Sequence, residues 1–90
     1  MPKEIYKILY KKSVDKDLRK LSSPIRVQIV KKIQLLAVNP MPKGITKLHG
    51  STDLYRLRHS DYRIIYRING KELIILIIKV GHRKDVYKDI

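Results

Sequence analysis

At "NPMPKG" (Asn39–Gly44) the hydrophobic period of the chain changes from 3.6 to 2. Before it, apolar residues recur at helical spacing; after it, they alternate as on a pleated strand. A chain with helices in its first half and strands in its second has few options. The helices must bury their apolar stripe, and one face of the sheet is the partner available. The other face is left for something else.

The helical half reads as two segments. Ser13 is a candidate N-cap, and Val14, Leu18 and Leu21 follow at helical spacing, with Lys16, Asp17, Arg19 and Lys20 facing out. Ser22-Ser23-Pro24 is a strong start signal: Ser23 suits the N-cap, and Pro24 suits the first helical position, where its missing N–H costs nothing. Ile25, Ile29, Ile33 and Leu36 form one stripe, widened by Val30 and Ala37. Asn39-Pro40 ends the helix, because a residue before proline avoids the α region. A short connection makes the pair an αα-hairpin.

The strand half contains Leu54–Arg58, Tyr62–Ile68 and Glu72–Val80, and Lys3–Tyr10 reads as an edge strand ahead of the helices. His59-Ser60-Asp61 is a turn, and Asn69-Gly70 predicts a tight two-residue hairpin. Leu73–Ile78 ("LIILII") is apolar without alternation, so it belongs inside the sheet, covered on both faces. The expected fold is α+β in the order β-α-α-β-β-β, with an antiparallel sheet and the αα-hairpin on one face. At 90 residues the expectation is a single domain, 1–90.

Within "YRLRHSDYRIIYRI" (Tyr55–Ile68), Tyr55 and Leu57 share one side of their strand, Arg56 and Arg58 the other; Arg63 and Arg67 likewise oppose Tyr62, Ile64, Tyr66 and Ile68. If the apolar sides face the helices, the arginines meet on the free face. Cross-strand neighbours lie about 5 Å apart, where guanidiniums repel unless an anion sits between them. Their planar fork matches phosphate oxygens. The net charge of +13 points the same way, since self-repulsion on that scale is relieved by an anionic partner, nucleic acid first.

Cutting RNA asks more of a site than binding it. The 2′-OH must lose a proton and attack the adjacent phosphorus, and the 5′-oxygen must gain one. Cations stabilise the phosphorane between these steps. His82 and Tyr87, beyond the last strand in "VGHRKDVY", are the local candidates for moving protons. His49 and His59 sit in or beside turns without an evident partner. No cysteine is present, the three histidines are scattered, and neither a metal nor another cofactor is expected. No signal core or membrane-length apolar run occurs, so the expected location is the cytoplasm, away from any membrane.

The stretch "KLHG…LYRLRHSDYRIIYRI…IIKVGHRKDVY" (Lys47–Tyr87) resembles the RelE/ParE superfamily of type II toxins, and its RelE branch in particular. The resemblance implies a microbial-RNase-like fold and a ribosome-dependent, metal-independent endoribonuclease that cuts mRNA in the ribosomal A site and inhibits translation. It implies a cognate antitoxin, and operator DNA bound through the toxin–antitoxin complex. By position, Arg56 and Arg58 fall on basic residues of the cleavage site, and Arg63 and Arg83 on arginines that stabilise the transition state. Tyr87 falls on an aromatic that orients the substrate, and His82 on a histidine some relatives use for acid–base chemistry. Lys47, Arg67 and Lys84 are expected RNA contacts. The best-studied member has lysines where this chain has Arg56 and Arg58; arginine carries protons poorly, which moves that role toward His82 or a ribosomal group. Two rival functions remain: a ParE-like inhibitor of DNA gyrase, and a non-catalytic nucleic-acid-binding module.

Overall fold

The computed structural model describes residues 5–48, 50 and 53–86. In chain order the elements are β1 (Lys7–Tyr10), α1 (Lys12–Arg19), α2 (Ser23–Leu35), β2 (Ile45–Lys47), β3 (Leu54–His59), β4 (Tyr62–Asn69) and β5 (Ile74–His82). One five-stranded sheet runs in the order β1-β5-β4-β3-β2. The strands from β2 to β5 pair antiparallel, but β1 joins β5 parallel, so the sheet is mixed rather than wholly antiparallel. A parallel partner needs a long connection, and between β1 and β5 the αα-hairpin together with β2, β3 and β4 supplies it.

The α2 stripe behaves as its spacing predicts: Ile29, Ile33 and Leu36 are buried, with Ile25 packed beside them. They meet Leu57, Ile64, Tyr66, Ile75, Ile77 and Val80 from the sheet, and Val14 and Leu21 close the core from the α1 side. Each fully buried isoleucine contributes about 1.5–3 kcal/mol relative to exposure. The Tyr66 hydroxyl donates to the Pro40 carbonyl at 2.8 Å, tying β4 to the loop after α2. Burial, with Tyr55 adding to it, pushes that hydroxyl far above its ordinary pKa.

Several local expectations shift. α1 begins at Lys12 after an N-cap at Lys11, so Ser13 lies inside it; α2 begins at Ser23 with Ser22 as N-cap, one residue early. β2 is a strand the sequence did not suggest, three residues entered through Gly44 at φ +88°. Asn69-Gly70 is not a two-residue turn, because Asn69 pairs with Ile74 across a four-residue loop. The Asn69 side-chain oxygen accepts from the Lys71 and Glu72 amides at 3.1 and 3.0 Å, and the positive φ falls on Leu73. An asparagine that caps the turn with its side chain replaces the positive-φ turn its Asn-Gly sequence advertises.

β5 is interior, as its apolar run requires. Its lack of alternation has a second cause. The register with β4 slips between Ile65 and Tyr66: Ile65 faces Lys79, but Tyr66 faces Ile77. This bulge absorbs Ile78, so Ile75, Ile77 and Val80 all reach the same core. Asp17, expected to face out, is only 9% exposed and sits between Val14 and Leu21 on the buried side of α1. Among the described residues no helix is long and apolar enough to cross a membrane.

Candidate active site

The strand register settles the arginine question row by row. Arg58 lies directly opposite Arg63, and Arg63 opposite Gly81, on the side away from Leu57, Ile64 and the helices. Arg56 is two residues earlier on the same side, about 7 Å along the strand. It faces Ile65 and donates to the Thr46 hydroxyl at 3.3 Å.

The β3–β4 connection draws the guanidiniums together. His59 pairs with Tyr62, leaving Ser60-Asp61 as a two-residue loop with Ser60 at φ +55°. Positive φ at the first loop residue alone is the mark of a type II′ hairpin. This turn aims the Ser60 carbonyl at two guanidiniums. Arg63 Nη1 donates to it at 3.1 Å and Arg58 Nε at 3.4 Å; Arg63 Nη1 also reaches the Tyr62 carbonyl at 3.0 Å. The chain after β5 then folds onto the same turn: the Arg83 amide donates to the Asp61 carbonyl at 2.7 Å. The Arg83 guanidinium stays 3.9 Å from the Asp61 carboxylate, with both side chains more than half exposed. Arg58 and Arg63 therefore share the Ser60 carbonyl at one end of the sheet, and Arg83 joins them at the same turn with the Asp61 carboxylate beside it. Carbonyl oxygens orient Arg58 and Arg63 without neutralising them, so the positive charge is offered to an incoming anion.

His82 approaches from the other side. It pairs with Tyr62, whose row faces the helices, and the two rings meet edge-on at 5.6 Å. Its Nδ1 accepts the Lys84 amide at 3.2 Å, which places the proton of the neutral ring on Nε2. A cleft of about 410 Å³ opens beside it, with Lys20, Tyr62, Lys79, Gly81 and Asp85 in its walls. His82 and the guanidiniums thus flank the end of the sheet from its two sides and are joined through the His82–Arg83 step.

The remaining candidates disperse. Arg67 lies at the far end of β4 and pairs with Asp53 at 3.1 Å. Lys47 faces Tyr55, on the opposite side from Arg56, and is exposed there. Lys84 is exposed in the turn beside Arg83. Tyr87 and His49 lie outside the described residues. His59, which looked partnerless, is held by Gln28 at 2.9 Å and Lys32 at 3.5 Å, and burial, then the Lys32 charge, lowers its pKa. Nor is the arginine side bare. Ile65 points to it by register and is fully buried; Val86 is buried too, its Cα 3.8 Å from where a Cβ on Gly81 would sit.

Sequence reasoning missed the Ser60 carbonyl and the Asp61 backbone as organising groups, because main-chain atoms carry no sequence signal. It also missed Asp17, whose spacing of three from Val14 and four from Leu21 was the available clue.

The family model described as "ParE toxin of type II toxin-antitoxin system, parDE" matches residues 8–87. The mRNA interferase toxin RelE of Escherichia coli K12 is 35% identical over 78 residues, covering 82% of this chain and 81% of that protein. A RelE-like toxin protein of Escherichia coli is 34% identical over 87 residues, 91% of this chain and 90% of its own. The toxin in the crystal structure of the archaeal RelE–RelB complex from Pyrococcus horikoshii OT3 superposes with a TM-score of 0.79 at 32% identity, covering 91% of this chain and 99% of that one. With the matched family model spanning nearly all of its length, and relatives of this likeness on both sequence and fold, the chain belongs to the RelE/ParE family, as a RelE-like toxin of a type II toxin–antitoxin system.

Proposed function

We propose that this protein is an endoribonuclease that cuts mRNA in the ribosomal A site, without a metal, and is held inactive by an antitoxin. The observation that carries this reading is the gathering of Arg58, Arg63 and Arg83 at the Ser60–Asp61 turn. A phosphate seated there meets charge from both strands and from the chain after β5. The 2′-oxygen, losing its proton, bonds to phosphorus; the P–O5′ bond breaks; the 5′-oxygen takes up a proton, leaving a 2′,3′-cyclic phosphate. Arg63 and Arg83 stabilise the phosphorane, and Arg56 and Arg58 hold the flanking phosphates. His82 is the chain's acid or base, exchanging a proton with the reacting oxygens from the end of the sheet, and Tyr87 orients a base. The ribosome brings the substrate and the second proton-transfer group. Lys84 continues the basic surface toward RNA; Arg67 and Lys47 contact RNA or ribosome outside the cleavage site. The protein acts in the cytoplasm, its antitoxin is an acidic or amphipathic chain, and the complex binds operator DNA.

A reconstituted translation reaction with primer extension tests this. Codon-phased cuts in ribosome-bound mRNA are expected; intact mRNA would refute the proposal. The second reading, gyrase poisoning, is favoured by the family model being described as a ParE toxin. It predicts intact mRNA together with gyrase-dependent DNA breaks.

A further inference from the structure

β5 has neighbours on both sides only for part of its length. β1 pairs with it at Ile74 to Ile77, and the Lys11 amide reaches the Ile77 carbonyl at 2.8 Å. Beyond that point the chain turns into α1, and among the described residues no strand flanks Lys79–His82 on that side. An open strand edge so close to a working site is a liability, since such an edge leaves backbone groups to be satisfied and a strand end free to drift. The structure closes this gap with a side chain. Asp17 Oδ2 accepts the Val80 amide at 3.2 Å, and Oδ1 lies 3.8 Å from Lys79 Nζ. Asp17 is the buried charged residue among those described, and it sits in the wall of the cleft beside His82. Burying a carboxylate is costly unless its bonds are made, so a helix position that could hold leucine is occupied for what the carboxylate does.

We infer that Asp17 is a positioning residue for the cleavage site: by clasping the Val80 amide on the edge that β1 leaves open, it fixes the end of β5 from which His82 and Arg83 are presented beside Arg58 and Arg63. The opposite edge of β5 is held by β4 as far as the Tyr62–His82 pair, and the Arg83 amide is held by the Asp61 carbonyl. Without Asp17 the strand end is secured from one side alone. What suffers is the placement of His82 and Arg83, two and three residues beyond Val80, and with it the bond of the Arg83 amide to the Asp61 carbonyl. The functional half rests on the ribonuclease reading, the structural half on the bond between the Val80 amide and Asp17.

The test uses the full chain, its D17A and D17N variants, and ribosome-bound mRNA. In the unmodified protein the Val80 amide should exchange as slowly as the paired amides of the β4–β5 ladder; exchange at the rate of an open strand edge overturns the clasp without any variant. In D17A, Val80 exchange should accelerate while the β3–β4 ladder is unchanged. The cleavage rate at saturating substrate should fall about 10- to 100-fold, the scale of a misplacement near 1 Å, with KM little altered. D17N keeps an acceptor oxygen for the Val80 amide and should recover most of that rate. A D17A protein that folds and cuts at full rate overturns the positioning role. So does one whose loss follows only its unfolded fraction, and so does a D17N as slow as D17A. Should the unmodified protein leave mRNA intact, the ribonuclease reading and the positioning role fall together; the Val80 exchange then decides the clasp alone.

Discussion

At one end of β4, Arg67 lies 3.1 Å from the Asp53 carboxylate; at the other, Arg63 faces Arg58 and reaches only carbonyl oxygens among the described residues. Both arginines come from one strand, point to one side and are separated by four residues. Their neighbourhoods give them different work. A carboxylate neutralises Arg67, and the pair, about half exposed, reads as a modest surface contact. A carbonyl only orients Arg63, and its charge is reinforced by a guanidinium directly across the ladder. An arrangement that is unfavourable within the protein alone becomes favourable once an anion enters. The arginine row therefore leaves its charge to be met by an anion at one end and is fastened to a carboxylate at the other.

The sharpest way to break this comparison is to remove each arginine and measure cleavage of ribosome-bound mRNA. Arg63→Ala should slow the cutting step by about 10²–10³, the cost of deleting one stabilising donor, with ribosome affinity largely kept. Arg67→Ala should stay within a few-fold of the parent. Equal losses would dissolve the distinction. Binding sharpens it next. Affinity for single-stranded RNA, followed against salt, should lose about 0.7 from its slope in Arg58→Ala, one phosphate contact's worth, and less in Arg67→Ala. Stability should show the opposite ranking, by a smaller margin. Breaking the pair with Asp53→Asn should cost about 0.2–1 kcal/mol in denaturant unfolding, as exposed ion pairs do. Arg63→Ala should leave the midpoint unchanged or raise it, by relieving its repulsion with Arg58.

The smallest effect concerns His59, at the site end of β3 but turned toward α2. Burial and Lys32 hold its pKa below the ordinary 6.5. The unfolded chain therefore binds the proton more readily, and stability rises with pH between the folded and unfolded values. Acidification from pH 7 to 5 should weaken the fold, and His59→Gln should flatten that dependence in urea titrations.

The same comparison shows what was legible beforehand. Alternation placed Arg56, Arg58, Arg63 and Arg67 on one side, and the α2 stripe and interior β5 followed from periodicity and an unbroken apolar run. These are one-dimensional regularities, and the local backbone obeys them. Which arginine meets a carboxylate is not such a regularity, since Asp53 precedes Arg67 by fourteen positions and reaches it only through the β3–β4 register. His82 lies on the Tyr62 side by the same alternation, two residues after the buried Val80, but a side-chain-less Gly81 between them hid the rhythm from the sequence. Asp17 was hidden by its type: a charged residue on a helix is read as solvent-facing until a strand edge is found beside it. Asn69-Gly70 misled because the asparagine side chain supplied a competing way to make the turn.

The parallel pairing of β1 with β5 carries a consequence for biosynthesis. The first strand of the sheet to emerge has its partner in the last strand of the sheet, and the arginine beyond Gly81 follows later still. Long-range closure of this sort is slow and cannot begin before its second half exists. A nascent polypeptide stopped short of Ile74 lacks β5, the strand that pairs with both β1 and β4. The RelE-like toxin so wired cannot complete its sheet, or bring the Arg83 amide to the Asp61 carbonyl, before β5 has emerged.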